Sequence, residues 1–268
     1  MKRNILFVAA LFLSLSASGF DWGWENVGKD VQVAYVQRQL FNSTQSISIL
    51  RYKASRHRTE IVNDPAELAD STSALALRHH GLGAINGSYF NVRELTPTTF
   101  VKDDGVQEGC TTREELMRVD GFVAVKGRHK ICISPCDTAS YKAMTRKYRE
   151  VLASGPVLLQ DGLPVRYEWP GESFFTRRHP RTLIGTSADG WVYFVVIDGR
   201  VKGKAAGATI PEVVQVAQLL GLREAINLDG GGSSTLWTKE KGVISHPTDN
   251  RRFDHAGQRT VPNAIIFR

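Results

Sequence analysis

The chain has 268 residues, 42% hydrophobic and 23% charged, with 24 Gly and 10 Pro. That is the composition of a folded globular protein and excludes disorder, collagen-like repeats and coiled coil. The 34 Lys and Arg against 27 Asp and Glu leave a formal net charge of +7, which favours an anionic partner.

The first nineteen residues read as a cleaved secretory signal. Lys2 and Arg3, the apolar run Ile5–Leu15 broken only by Ser14, and the small residues Ser16-Ala17-Ser18-Gly19 follow in the required order. The run is too short for a membrane span, which needs about 20 apolar residues. The expectation is therefore a signal over 1–19, one domain over 20–268, no integral membrane segment after cleavage, and a periplasmic or secreted location. In such a compartment at most one pair among Cys110, Cys132 and Cys136 closes within the chain. Cys132 and Cys136 are near enough in sequence for a tight bridge around Pro135, and Cys110 is an alternative partner for either.

Further along, Val31–Val36 and Ser46–Tyr52 alternate as an antiparallel pair around Asn42-Ser43-Thr44. Pro65–His80 has helical composition and ends in His79-His80-Gly81. Gly83–Phe90 reads as a strand. From Asp137 to Ala153, Tyr141, Met144, Tyr148 and Val151 fall at helical spacing. Val157–Gln160, Asp161-Gly162 and Leu163–Tyr167 carry a hairpin signal. Trp191–Ile197 is nearly all aromatic and β-branched, the pattern of a strand buried on both faces. Thr209-Ile210-Pro211-Glu212 is a capping box for a helix whose Val213, Val216, Ala217 and Leu220 share a face, with Gly221 closing it. Ala225–Leu228 and Asn263–Phe267 are the last apolar strands. No repeat or Pro/Gly-rich linker divides the chain, so it reads as one α+β domain, a mixed or mostly antiparallel sheet packed with helices.

Three stretches carry chemistry. Asp229-Gly230-Gly231-Gly232-Ser233-Ser234 follows a strand; successive N–H groups in such a turn can form an anion nest, and the serines add hydroxyl donors. A plain glycine turn between strands is the competing reading. Arg177-Arg178-His179-Pro180-Arg181 offers a guanidinium fork suited to phosphate oxygens, although a basic run is also a common solvated loop. Asn86, Ser88 and Phe90 lie in Ala84-Ile85-Asn86-Gly87-Ser88-Tyr89-Phe90, where an amide and aromatic faces suit a sugar and equally suit a core strand.

These residues resemble the phosphodiester glycosidase family. Ala84-Ile85-Asn86-Gly87-Ser88-Tyr89-Phe90-Asn91 is similar to the family's Ile-Asn-Gly-Gly-Phe-Phe-Asp segment, with Ser88 and Asn91 departing from it. Gly155–Gly162 and Pro180–Gly185 match further motifs, as do Val195–Arg200, Asn227–Thr235 and Val261–Ala264. The six motifs run in order between Ala84 and Phe267; the N-terminal strands and roughly 96–139 lie outside them. The resemblance implies a hydrolase that cleaves between a sugar's anomeric carbon and a phosphodiester, on a phosphorylated glycan or other sugar 1-phosphodiester, with no cofactor and no metal. It implies Asp229 as the first catalytic candidate and Asp198 as the second, and Asn86, Ser88, Phe90, Arg181, Asn227, Gly230, Gly231, Gly232 and Ser233 as substrate-binding residues. Glu172 is a third, unplaced carboxylate.

A phosphate monoester is already a good leaving group, so electrostatic stabilisation of phosphate matters more here than a general acid. The alternative is a non-catalytic binding domain for an anionic envelope polysaccharide. Attack at phosphorus would call for a divalent metal, and the histidines show no ligand spacing. Export argues against nucleic acid as partner.

Overall fold

The computed structural model describes residues 20–127, 129–137, 140–166 and 168–268. The signal expected over 1–19, the Tyr167 end of the hairpin and the Met144 side chain lie outside that description.

Three antiparallel sheets form the body. The largest runs in the order Glu25–Gly28, Val31–Leu40, Ser43–Lys53, Trp191–Ile197, Arg181–Thr186, Glu224–Asn227, Val157–Gln160, Leu163–Pro164. The second is Val106–Gly109, Val101–Asp103, Glu150–Ser154, Gly121–Lys126, Lys130–Pro135. The third is Gly242–Val243, Leu236–Thr238, Gly83–Asn86, Asn263–Phe267, Thr59–Asn63. In the central strand Trp191–Ile197 alternate side chains enter two cores, as a strand buried on both faces requires. Val192, Phe194 and Val196 meet Val123, Leu152, Ile85 and Ile265 of the other sheets. Tyr193, Val195 and Ile197 face Val213, Val216 and Ala217 of the helix Ile210–Leu219. The Thr209–Glu212 capping box forms as expected, worth about 1 kcal/mol. The Asp161-Gly162 turn also forms, with both residues at positive φ.

Sheet dominates more than the sequence implied. Pro65–His80 yields a 3-10 turn at Ala66–Leu68, a two-residue strand, and a helix only over Thr72–Arg78, capped by Ser71. Asp137–Ala153 is helical only at Tyr141–Met144, and Glu150–Ser154 is a strand. Val151, Leu152 and Ala153 are buried between Gly121–Lys126 and Val101–Asp103, so pairing on both edges overrides the helical spacing. The expected strand Gly83–Phe90 stops at Asn86, and the next residue is glycine where the chain passes so close to Asn263 that a side chain would collide with it. The Cys132–Cys136 bridge is also excluded. Lys130–Pro135 pairs throughout with Gly121–Lys126, which places the Cα atoms of Cys132 and Cys136 about 13 Å apart along an extended chain, beyond disulfide reach.

Candidate active site

Arg181–Thr186 is antiparallel to both neighbours, with Arg181 opposite Ile197 and Leu183 opposite Asn227. The start of one strand therefore meets the ends of two others at one end of the large sheet. Asp198-Gly199-Arg200 and Leu228-Asp229 leave the sheet there. The third sheet is fastened to the same place by Asn86, which is 1% exposed. Asn86 Nδ2 donates to the Asp229 carbonyl at 2.8 Å, and its Oδ1 accepts from Thr182 Oγ1 and the Thr235 N–H, both at 3.0 Å. Asp229 N–H in turn donates to Gly87 O at 3.0 Å.

The turn after Asp229 is glycine for steric reasons. Gly231 sits at φ +65°, and a Cβ at Gly232 would overlap both Asp249 and Arg259. Arg200 packs on Gly231 from the other side. The turn is less of an open nest than its sequence suggests, because several N–H groups are already engaged. Gly230 N–H donates to Asp229 Oδ1 at 2.9 Å, Gly231 N–H to Pro180 O at 2.9 Å, and Ser233 N–H to Gly230 O at 3.3 Å. Positive charge at the turn comes mainly from the guanidiniums of Arg200 and Arg259, with Arg259 also paired to Asp249 at 2.5 Å.

Asp229 heads this turn. Burial pushes its carboxyl up to about 6, while the Ser233 hydroxyl, Arg118, Arg259 and the Gly230 N–H pull it back toward the ionised form. Arg118 lies 4.3 Å over the Tyr89 ring and is held by Glu115. The carboxyl is thus partly buried, flanked by cations, and ionised mainly above pH 6.

Asp198 occupies a different environment. It is 1% exposed, and both oxygens are committed: Oδ2 accepts from Ser46 Oγ at 2.6 Å and His246 Nδ1 at 3.0 Å, and Oδ1 accepts the His246 backbone N–H at 2.8 Å. Phe253 stacks on the His246 ring at 3.9 Å with planes 3° apart, and the His255 ring is 4.4 Å away. A cavity of about 480 Å³ lined by Tyr35, His246 and His255 opens alongside.

The remaining sequence candidates are largely enclosed. Arg181 is 2% exposed; Nε donates to Ala208 O at 2.9 Å, and Nη2 to Phe174 O at 2.5 Å and Arg177 O at 3.2 Å. Nε and Nη2 of its fork are thus spent on the protein's own carbonyls, and burial pushes its pKa down to about 10. Asn227 Nδ2 serves Tyr89 Oη, Gly155 O and Leu228 O. Ser88 donates to Ala153 O, and Phe90 packs with Leu75, Trp237 and Ile266. Gly230 and Gly231 are half-buried; Gly232 and Ser233 are buried. Glu172 is exposed at the start of the helix Ser173–Thr176. The structure thus brings Asp229 and the glycine turn together with Arg118, Arg200 and Arg259. It keeps Asp198 beside His246 and uses Asn86, Asn227, Ser88 and Arg181 as internal fasteners.

Arg118, His246, Asp249 and Arg259 were not singled out in the sequence. Arg259, two residues before the Val261–Ala264 motif, carried the one available signal. Among the described residues no group of three or more His, Cys, Asp or Glu is placed to hold a metal ion, and no helix is long and apolar enough to cross a membrane.

A sequence profile described as phosphodiester glycosidase matches residues 80–268. No curated protein matches the sequence. Among solved structures, the catalytic domain of zebrafish N-acetylglucosamine-1-phosphodiester alpha-N-acetylglucosaminidase, auto-inhibited by its pro-peptide, is similar at TM-score 0.70 and 15% identity, over 90% of this chain and 84% of that one. A hypothetical protein from Synechocystis matches at TM-score 0.67 and 14% identity, over 91% of this chain and 63% of its own. A Burkholderia pseudomallei protein designated as exported matches at 0.61 and 15%, over 84% and 74%. At these identities the structural likeness establishes the fold alone.

Proposed function

The chain belongs to the phosphodiester glycosidase family, and from that premise we propose that it hydrolyses the bond between a sugar's anomeric carbon and a phosphodiester in a phosphorylated glycan or glycoconjugate. The name of the zebrafish enzyme points to the same substrate class, a sugar joined through C1 to a phosphodiester. The observation that carries the reading is Asp229, a partly buried carboxyl at the head of a glycine turn that Arg200 and Arg259 flank.

In this reading the Asp229 carboxylate attacks C1. The C1–O bond breaks, its electron pair leaves on the phosphate, and a glycosyl ester of Asp229 remains. A phosphate monoester carries this charge readily near neutral pH, since its second ionisation lies near 6, so no proton donor is needed at the leaving oxygen. Arg200 and Arg259 stabilise the departing phosphate; Arg181, enclosed by carbonyls, holds the sheet end in place.

Turnover in heavy-oxygen water is the test. The label enters the sugar if C1–O breaks, and label in the phosphate monoester would overturn the reading. We also propose export, on the basic and apolar order of residues 1–19. N-terminal sequencing of fractionated protein should begin near Phe20, and Met1 intact in the cytosol would refute it.

A further inference from the structure

The proposed reaction leaves a glycosyl ester on Asp229, and its hydrolysis requires a base that takes a proton from water. Asp229 cannot serve, since its carboxylate is the group being released. A second proton acceptor must therefore reach the opposite side of the sugar.

His246 has the geometry for it. Asp198 accepts hydrogen bonds from both its backbone N–H and its Nδ1, which fixes the ring's orientation and assigns the ring proton to Nδ1. Nε2 is then the unprotonated nitrogen of the neutral ring, and the side chain stays 11% exposed to water. Ser46 Oγ completes the donor set on Asp198 Oδ2, and Tyr35 Oη lies 3.3 Å from that hydroxyl. Phe253 stacked on one face of the ring limits its tilt. A buried acid that holds one histidine by its ring through Oδ2 and by its backbone N–H through Oδ1 is a positioning group, the arrangement by which a carboxylate holds a histidine base in one tautomer.

The dyad also lies at the same end of the large sheet as Asp229. Asp198 and Asp229 leave strands on either side of Arg181–Thr186, their backbones two strand spacings or roughly 10 Å apart with Pro180 between the two turns. Two chain connections tie the dyad to the glycine turn. Arg200, two residues after Asp198, packs on Gly231, and Asp249, three residues after His246, packs on Gly232.

We propose that His246, positioned by Asp198, is the general base of the second half of the reaction; this rests on the glycosidase reading above. Water gives a proton to His246 Nε2 as its oxygen bonds to C1. The bond between C1 and the Asp229 oxygen breaks, its electron pair returns to the carboxylate, and the imidazolium then loses its proton to solvent.

The test uses the mature full chain and a panel of methyl and p-nitrophenyl sugar 1-phosphodiesters, taking the member that wild type hydrolyses. His246→Ala should release about one phosphate monoester per site in a burst and then turn over at least about a hundredfold more slowly. Sodium azide attacks C1 without needing a base, so it should restore turnover at least about tenfold and yield a glycosyl azide. Asp198→Asn should show the same pattern more weakly, and His246→Gln, which keeps the backbone bond to Asp198, replaces the alanine variant if that fails to fold. Wild-type turnover by a folded His246 variant, or loss of the burst together with turnover at unchanged melting temperature, would overturn the base assignment. Heavy-oxygen label in the wild-type phosphate, or no turnover of any panel member, would overturn the glycosidase reading itself. Label in the sugar with no azide rescue sinks the dyad alone.

Discussion

Asp229→Asn separates a catalytic carboxyl from a turn-capping one, because the two roles move rate and stability in different directions. The carboxyl is held at about 6 instead of the usual 3.8, mainly by burial. That rise disfavours the ionised form by about 3 kcal/mol, which water at the exposed edge reduces to about 1–2 kcal/mol. The folded state holds this proton more tightly than the unfolded chain does. Its stabilising effect is therefore complete below pH 4 and is lost as pH rises through 6. Asparagine carries no charge and its Oδ1 can still accept the Gly230 N–H, so at pH 7.5 the variant should melt about 2–6 °C above wild type. Below pH 4 the two should melt together. Turnover should fall at least about a hundredfold, in the range lost with a nucleophile or general base. Melting curves and rates from one preparation at pH 3.8 and 7.5 supply both readings. A variant that melts lower at pH 7.5 while turning over near normally would make Asp229 a turn cap and remove it from the chemistry.

Other substitutions test the neighbouring assignments. Arg181→Lys should cost about 2–4 kcal/mol, because an ammonium cannot serve the Ala208, Phe174 and Arg177 carbonyls together, while turnover per folded molecule stays near normal; chemical denaturation beside active-site titration checks both. Arg259→Gln should raise KM or lower kcat about tenfold or more with a small change in melting temperature, and unchanged kinetics would remove it from the phosphate site. Asn86→Ala should destabilise by about 2–4 kcal/mol, since it orphans Thr182 Oγ1 and the Thr235 N–H in the buried joint between two sheets. Glu150 accepts the Ile61 N–H and is pushed up to about 7 by burial, so it supports the fold fully below pH 4.5 and loses that effect as pH rises through 7. Glu150→Gln should therefore raise the melting temperature at pH 8 and leave it unchanged at pH 4.

Elements defined by local chemistry were legible from the sequence. The capping box at Thr209, the turn at Asp161-Gly162 and the alternation of Val31–Tyr52 each depend on neighbouring residues and form as read. Elements decided by distant partners were not. Val151 sits at helical spacing from Tyr148, but strands from two separate stretches pair on both sides of it. The basic run ending in Arg181 reads as one surface feature, yet a single step of strand parity turns Arg181 into the core with Ala208 and Phe174. The polar residues of the glycine turn were visible because glycines are conspicuous. The turn's partners Asp249 and Arg259, and His246 beside Asp198, come from an irregular stretch with no period to reveal it.

The two aspartates that sequence alone could only rank are separated by their surroundings. Asp198 receives three donors, from Ser46, the His246 ring and the His246 backbone, and has almost no exposed surface. A carboxylate so committed cannot approach a carbon without breaking the bonds that keep its charge tolerable inside the protein, so its negative charge acts through the imidazole it orients. Asp229 receives one backbone N–H, lies within the influence of Arg118 and Arg259, and is only partly buried. It keeps lone pairs that a substrate can use and is mostly ionised at neutral pH. Pairs of acids whose environments diverge in this way divide their tasks: in the proposed reaction the enclosed one fixes a neighbour, and the half-open one meets the substrate.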